Sequence, residues 1–150
     1  MSFISRLIQG KQKKKRRPPF KGLYDLNRRQ PVNIFEQKMI KGMFTESKEV
    51  FVTAFCRGNE VLRVTANIGS KYRCRPADDY TNWGWKAQEM GGTEIRQYHN
   101  HLGKGEAKFS KTDKRNYPIF REHVEPFGIK IRFFLVYPRR LIGGYAIREF

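Results

Sequence analysis

Apolar residues recur along this chain with two different periods, and the order of those periods constrains the fold more than any other feature. A period near 3.6 residues predicts an amphipathic helix, and a period of about two predicts a half-buried strand. The helical period marks three segments, residues 32–47, 80–90 and 111–124. Pro31 suits the first turn of the first helix, and either Asp78 or Asp79 can cap the second.

Five further segments have the β-branched and aromatic composition of strands: residues 49–56, 61–68, 94–99, 129–137 and 145–148. The first is apolar on both faces, which predicts a central strand, and a turn signal joins it to the second as a hairpin. The second alternates, and its predicted buried face carries Leu62, Val64, Ala66 and Ile68. This order predicts an α/β domain over residues 31–150, with helices packed on a single mixed β-sheet.

Residues 1–30 differ from the rest of the chain and are predicted to form a basic N-terminal arm. The formal net charge of +17 attracts anions, and much of it is concentrated in one run of this arm. The run is either a mobile, solvated segment or a weak binding site for nucleic acid, anionic lipid headgroups or an acidic protein. Its candidate binding residues are Lys13, Lys14, Lys15, Arg16 and Arg17.

No stretch of the sequence has the length and apolar character of a membrane span, and Arg6 interrupts an apolar start that is too short for a secretory signal. A cytoplasmic location is therefore expected. Cys56 and Cys74 have neither disulfide-framework nor metal-finger spacing, and Cys56 is expected to pack as a small buried hydrophobe. No feature of the sequence fixes the oligomeric state.

Two of the three histidines, His99 and His101, lie two residues apart at the end of a predicted strand. Residues i and i+2 of a strand point to the same face, so the two imidazoles can aim at one point. Asp113 follows a short glycine-containing loop, near the start of a predicted helix. Two imidazoles and a carboxylate form a three-ligand set typical of catalytic zinc, with the fourth position left for water.

Each part of this pattern also has a purely structural interpretation. A His-x-His pair at a strand end can be ordinary surface histidine, and Ser110-x-x-Asp113 is close to a helix capping box with Ser110 as the N-cap. The third histidine, His123, lies within a predicted helix and is interpreted as structural. Trp83 and Trp85 are interpreted as core residues rather than as a stacking surface for substrate or bases.

The order of these residues resembles the JAMM (MPN/JAB) metalloprotease family, whose signature is a glutamate, then His-x-His, then Ser-x-x-Asp. The His99-Asn100-His101 motif is also similar to the RadC-like branch of that superfamily. The family's glutamate lies at the start of a strand that follows a helix, a place that Glu49 fits better than Glu46. Leu102 stands where the family usually has proline, and eight residues, rather than the usual seven, separate the second histidine from the serine.

The resemblance covers about residues 32–138 and implies the cytidine-deaminase-like JAB/MPN architecture, with one Zn²⁺ held by His99, His101 and Asp113. It also implies that Glu49 takes the proton of the attacking water and that Ser110 stabilises the oxyanion. The implied reaction is hydrolysis of an amide, in many family members an isopeptide at the C-terminus of a ubiquitin-like protein. A short catalytic domain of this kind suits a bacterial or phage-related conjugation or defence system.

Two alternatives stay open beside this zinc-dependent isopeptidase or peptidase. The His-Asn-His form and the net charge of +17 suit a RadC-like, nucleic-acid-associated protein that binds DNA through its basic surface. A degenerate JAMM fold can instead serve as a scaffold, although the complete set of candidate ligands argues against that role.

Overall fold

A computed structural model of the protein describes residues 26–45, 48–69, 80–103 and 108–150. These ranges contain three helices and six strands, in the order β1 (Gln30–Pro31), α1 (Val32–Met43), β2 (Val50–Arg57), β3 (Glu60–Ile68), α2 (Trp83–Glu89), β4 (Glu94–Asn100), α3 (Lys111–Val124), β5 (Lys130–Pro138) and β6 (Tyr145–Glu149). Short 3₁₀ turns precede α2 and follow α3. None of the helices in the described ranges combines the length and apolar character needed to span a bilayer.

The six strands form one sheet in the order β1-β3-β2-β4-β5-β6. Neighbouring strands are antiparallel except for β4 and β5, which run parallel. The predicted α/β class with a single mixed sheet is therefore confirmed. The predicted hairpin of β2 and β3 is confirmed too, and β2 is central because it lies between β3 and β4 and is buried over all of its length except Arg57.

Helices cover both faces of this sheet. On one side, here called the α1 face, α1 packs Phe35, Met39 and Met43 into a core with sheet residues such as Val52 and Tyr98. On the other side, here called the α3 face, α2 and α3 enclose a second core. Its members include Trp83, Tyr117, Phe120, Val124, Phe55, Ile95, Ile131, Phe133 and Leu135. Alternation along each strand therefore sends successive side chains into two different cores.

The first helix is shorter than predicted, because it ends at Met43 rather than near residue 47. Thr45 Oγ1 donates a hydrogen bond to the Gly42 carbonyl oxygen at 2.7 Å, which satisfies one of the acceptors left free at a helix end. Phe44 then stacks on Tyr145 of β6, with ring centroids 4.2 Å apart. The helix therefore ends at Met43, the last apolar residue of its pattern, and local bonding with this tertiary contact replaces the predicted further turn.

A β-bulge in β3 corrects the predicted buried face of that strand. Cys56 pairs with Val61, whereas Phe55 pairs with Arg63, so Leu62 is the extra residue of the bulge. Leu62 is half-buried outside the core, and Val61 is buried in its place. The predicted alternation holds from Val64 to the end of the strand.

The folded unit includes residues 26–30, which the sequence had assigned to the N-terminal arm. Leu26 is buried in the α1-face core, and Asn27 Oδ1 accepts a hydrogen bond from the Val64 backbone N–H at 2.9 Å. Gln30 pairs with Val61 in the short strand β1. Residues 13–17 of the predicted anion-binding run lie outside the described residues, as do Glu46, Cys74, Asp78 and Asp79.

Candidate metal centre

The two closely spaced histidines lie where β4 ends, on the α3 face of the sheet. His99 is buried, and its ring is 5.9 Å from that of Phe51 on β2, in a stacked arrangement. His101 follows the last residue of β4 and is half-buried, and its backbone N–H donates to the Val136 carbonyl oxygen at 3.0 Å. That bond continues the strand pairing past Asn100, so the two imidazoles share one face, with ring centroids 5.1 Å apart.

Asp113 reaches the histidines because of the way α3 begins. Ser110 is the N-cap of this helix, and its Oγ accepts a hydrogen bond from the Asp113 backbone N–H at 3.0 Å. Asp113 Oδ2 in turn accepts from the Ser110 backbone N–H at 2.8 Å, which completes a capping box. The same carboxylate oxygen lies 3.2 Å from His99 Nε2. Capping therefore fixes the orientation of the side chain that faces the histidines.

His99, His101 and Asp113 form a three-ligand set, because each offers a ligand atom within 4.8 Å of the others. His99 Nε2 is buried and lies 3.2 Å from Asp113 Oδ2, and it makes no hydrogen bond of good geometry with a described group. A metal ion bound here would satisfy the ring nitrogen and the carboxylate together. These residues fit a metal of the kind that two imidazoles and one carboxylate bind, which includes zinc and non-haem iron.

The charge of Asp113 suits this role. Burial raises the pKa of its carboxyl group, but contact with His99 and the two hydrogen bonds with Ser110 outweigh that effect and hold the pKa below its ordinary value. The side chain is therefore an anion at neutral pH, as metal ligation requires.

Glu49 lies immediately before β2, next to the end of β4 that carries the histidines. Phe51 pairs with His99 in the antiparallel register, so continuing that register by two residues brings Glu49 opposite His101. Alternation places Glu49 on the same face as Phe51 and therefore on the face of the histidines. Glu49 is half-buried and is not part of the three-residue ligand group. The site thus has a carboxylate beside the ligands and separate from them.

Asn100, between the two histidines, has a structural role that the sequence reasoning missed. Its side chain is fully buried on the α1 face, where Oδ1 accepts from the Val50 backbone N–H at 2.7 Å and Nδ2 donates to the Met43 carbonyl oxygen at 3.2 Å. This amide joins the start of β2 to the end of α1 and β4. It therefore fixes the strand start that carries Glu49 relative to the strand end that carries the histidines.

A pair of buried polar residues extends the candidate centre along the α3 face. Gln97 precedes His99 by two residues on β4, and Thr53 is its direct partner on β2. Both are buried, yet the Gln97 amide atoms and Thr53 Oγ1 have no hydrogen-bond partner in the described part of the protein. Neither residue was singled out from the sequence, because a lone threonine or glutamine in a strand carries no signal of its own.

Several other sequence interpretations also have an outcome. His123 packs its ring against Tyr80, with centroids 5.1 Å apart, and does not belong to the ligand group. Trp83 is a buried core residue as predicted, but Trp85 is 52% exposed and is not. Cys56 is buried in the α1-face core as predicted, and burial raises the pKa of its thiol to about 12.

No protein-family model matches this chain, and no curated protein matches it in sequence. The JAMM resemblance therefore depends on the residues of the motif and on the places that these residues occupy in the fold.

Proposed function

We propose that this chain is a JAMM-type, zinc-dependent isopeptidase or peptidase with the JAB/MPN architecture. The observation that carries the proposal is the convergence of His99, His101 and Asp113 on one point, where the buried Nε2 of His99 faces the Asp113 carboxylate at 3.2 Å. Ser110 beside Asp113, and Glu49 across from His101 by register, complete the order of residues that characterises the family. All five lie at one edge of the sheet.

Zinc held by the three ligands would supply Lewis acidity toward a substrate carbonyl and a water molecule. Glu49 is the general base in this proposal: it takes a proton from the attacking water and passes it to the leaving amine. Ser110 Oγ already accepts from the Asp113 backbone N–H, so the hydroxyl proton is free to be donated to the carbonyl oxygen as its negative charge develops. One serine can therefore cap α3 and stabilise the transition state.

The proposed substrate is a ubiquitin-like protein or its conjugate, cleaved at the amide bond that follows its C-terminus. We place this activity in the cytoplasm, in a bacterial or phage-related conjugation or defence system. This choice of substrate follows from the order of the motif residues, which is that of the JAMM family, and from their position at a strand end.

The test separates metal binding from chemistry. Wild-type protein is incubated with ubiquitin-like proteins that carry a C-terminal amide-linked extension, and the products are identified by mass spectrometry. Glu49→Gln should keep its zinc and lose at least about a hundredfold in rate, since it removes only the base. Glu60→Gln, a matched change at the start of β3, should cleave as wild type does. Full activity after zinc removal, or in Glu49→Gln, would overturn the proposal.

A second candidate function is DNA binding by a RadC-like protein. The observation that favours it is the set of exposed cations around the candidate centre, Lys108, Lys111, Lys114, Arg139 and Arg140. Contacts of these side chains with phosphates would release counterions, so duplex affinity should fall steeply as salt rises. Titration of a duplex at low and high salt measures this, and a salt-independent affinity would reject the candidate.

A further inference from the structure

The turn between β5 and β6 presents two adjacent aliphatic side chains almost completely to solvent. Leu141 is 94% exposed and Ile142 is 85% exposed, whereas the other exposed large apolar residues among the described ones lie between 38% and 52%. Isolated exposed apolar residues are ordinary on protein surfaces, but two neighbouring side chains at the tip of one loop indicate an interaction site.

A backbone hydrogen bond closes this loop below those two side chains. The Arg139 backbone N–H donates to the Gly144 carbonyl oxygen at 2.9 Å, which closes the loop at its base. Gly143 and Gly144 have φ values of 78° and 72°, a conformation that other residues rarely adopt. Leu141 and Ile142 are therefore held outward at the tip by the turn itself.

The charge around the tip has one sign. Arg139 and Arg140 precede the two aliphatic residues, both are exposed, and neither makes an ion pair within the described residues. No acidic residue occurs in the sequence from position 133 to position 148. A partner of this loop should therefore have a negatively charged surface for the two arginines and an apolar region beneath it for the two aliphatic side chains.

We propose that the β5–β6 loop docks the protein on an anionic lipid bilayer, with Leu141 and Ile142 inserted below the headgroups and Arg139 and Arg140 among them. Aliphatic side chains enter the acyl boundary of a bilayer, but they have no aromatic face on which nucleobases could stack. Stable peripheral binding usually needs a second attachment. The sequence provides one in the basic run at residues 11–17, whose charges attract anionic lipid.

This docking would bring the candidate metal centre to the membrane. β4 and β5 are parallel, so the end of β4 that carries His101 and the end of β5 that enters the loop lie at the same edge of the sheet. The substrate of the site would then be met at the bilayer surface. Membrane binding through the loop is independent of the proposed hydrolase activity, so either can fail without the other.

The test is co-sedimentation of the full chain with vesicles of phosphatidylcholine alone and of phosphatidylcholine mixed with phosphatidylserine. Wild type should bind the mixed vesicles more strongly. L141S with I142S should lower the partition coefficient about tenfold or more at high salt, where the attraction of the basic run is screened. R139Q with R140Q should lower binding to the mixed vesicles and leave binding to phosphatidylcholine vesicles unchanged.

Two matched variants serve as controls. I34S with I119S removes exposed aliphatic side chains from α1 and α3 and should bind as wild type does. R28Q with R63Q removes charge beside β1 and on β3, and it should lose less binding than R139Q with R140Q. Circular dichroism confirms that each variant is folded. Absence of wild-type binding, or L141S with I142S that binds like wild type at high salt, would overturn the proposal. Loop variants that lose duplex DNA binding but keep vesicle binding would also overturn it.

Discussion

Along β4 and the β2 residues beside it, buried polar side chains are satisfied on one face of the sheet and not on the other. On the α1 face, Tyr98 donates to Glu36 Oε2 at 2.5 Å, and the Asn100 amide both accepts and donates a hydrogen bond. On the α3 face, the Gln97 amide and Thr53 Oγ1 are buried and no described group satisfies them, while His99 Nε2 faces the Asp113 carboxylate at 3.2 Å. Buried polar groups are normally paired, so we interpret the unpaired groups beside His99 as part of a binding face.

A single strand supplies both sets. Tyr98 and Asn100 of β4 point to the α1 face, and Gln97 and His99, which alternate with them, point to the α3 face. The backbone that carries the candidate metal ligands is thus held from behind by satisfied hydrogen bonds. We interpret the α1 face as the rigid support and the α3 face as the face that binds.

The largest effect is expected on the supporting side, at Asn100. Asn100→Leu removes both partners of a buried backbone N–H and a buried carbonyl, so the free energy of unfolding should fall by about 3 kcal/mol. Asn100→Asp should lose less, because a carboxylate still accepts from Val50 but cannot donate to Met43. Urea denaturation measures both. If Asn100→Leu were as stable as wild type, the proposed contrast between satisfied and unsatisfied buried polar groups on the two faces would be wrong.

A smaller effect is expected at Glu149, where the α1 face meets solvent. Hydrogen bonds from Arg132, at 2.6 and 2.7 Å, hold the pKa of Glu149 below its ordinary value of 4.5 despite some burial. The carboxylate's contribution is therefore complete above pH 4.5 and is lost as the pH falls through the lowered pKa. Glu149→Gln should cost less than about 1 kcal/mol at neutral pH.

Urea denaturation of wild type and Glu149→Gln at several pH values tests this contribution directly. The difference in stability between wild type and Glu149→Gln should disappear in acid. The control is Glu60→Gln, whose pairs with Arg29 and Arg57 are exposed and longer, at 3.6 and 3.7 Å, so it should change little at any pH. A difference for Glu149→Gln that grows in acid would contradict the assignment of the ion pair.

The smallest effect is expected on the α3 face. Thr53→Val and Gln97→Leu replace unpaired polar groups with apolar groups of similar shape, so stability should change by less than about 1 kcal/mol or rise. The same urea titration used for Asn100 measures it. A loss of more than about 2 kcal/mol would show that these groups are paired in solution, and the contrast between the two faces would fail.

Much of this architecture could be predicted because local chemistry and tertiary packing agree. Ser110 and the stripe formed by Tyr117, Phe120 and Val124 predict α3 with the bounds that it has. The alternation around His99 and His101 likewise predicts that the two imidazoles share a face. In these segments, capping and periodicity are properties of neighbouring residues, which a sequence displays directly.

The parts that escaped prediction depend on contacts between distant segments. The bulge at Leu62 follows from how β3 pairs with β2, and burial of Leu26 follows from packing that its basic surroundings do not reveal. The role of Asn100 depends on Val50 and Met43, each at least fifty positions away in the chain. Asn100, which the motif treats as a spacer between the two histidines, therefore holds the strands that carry the site.

The claim that the α3 face binds a metal is tested most directly by metal analysis of protein purified without a histidine tag. We expect about one zinc ion per wild-type chain and none in His101→Ala. His123→Ala, which alters the one histidine outside the ligand group, should retain its zinc. Wild-type protein without metal, or equal zinc in wild type and a folded His101→Ala, would contradict the account.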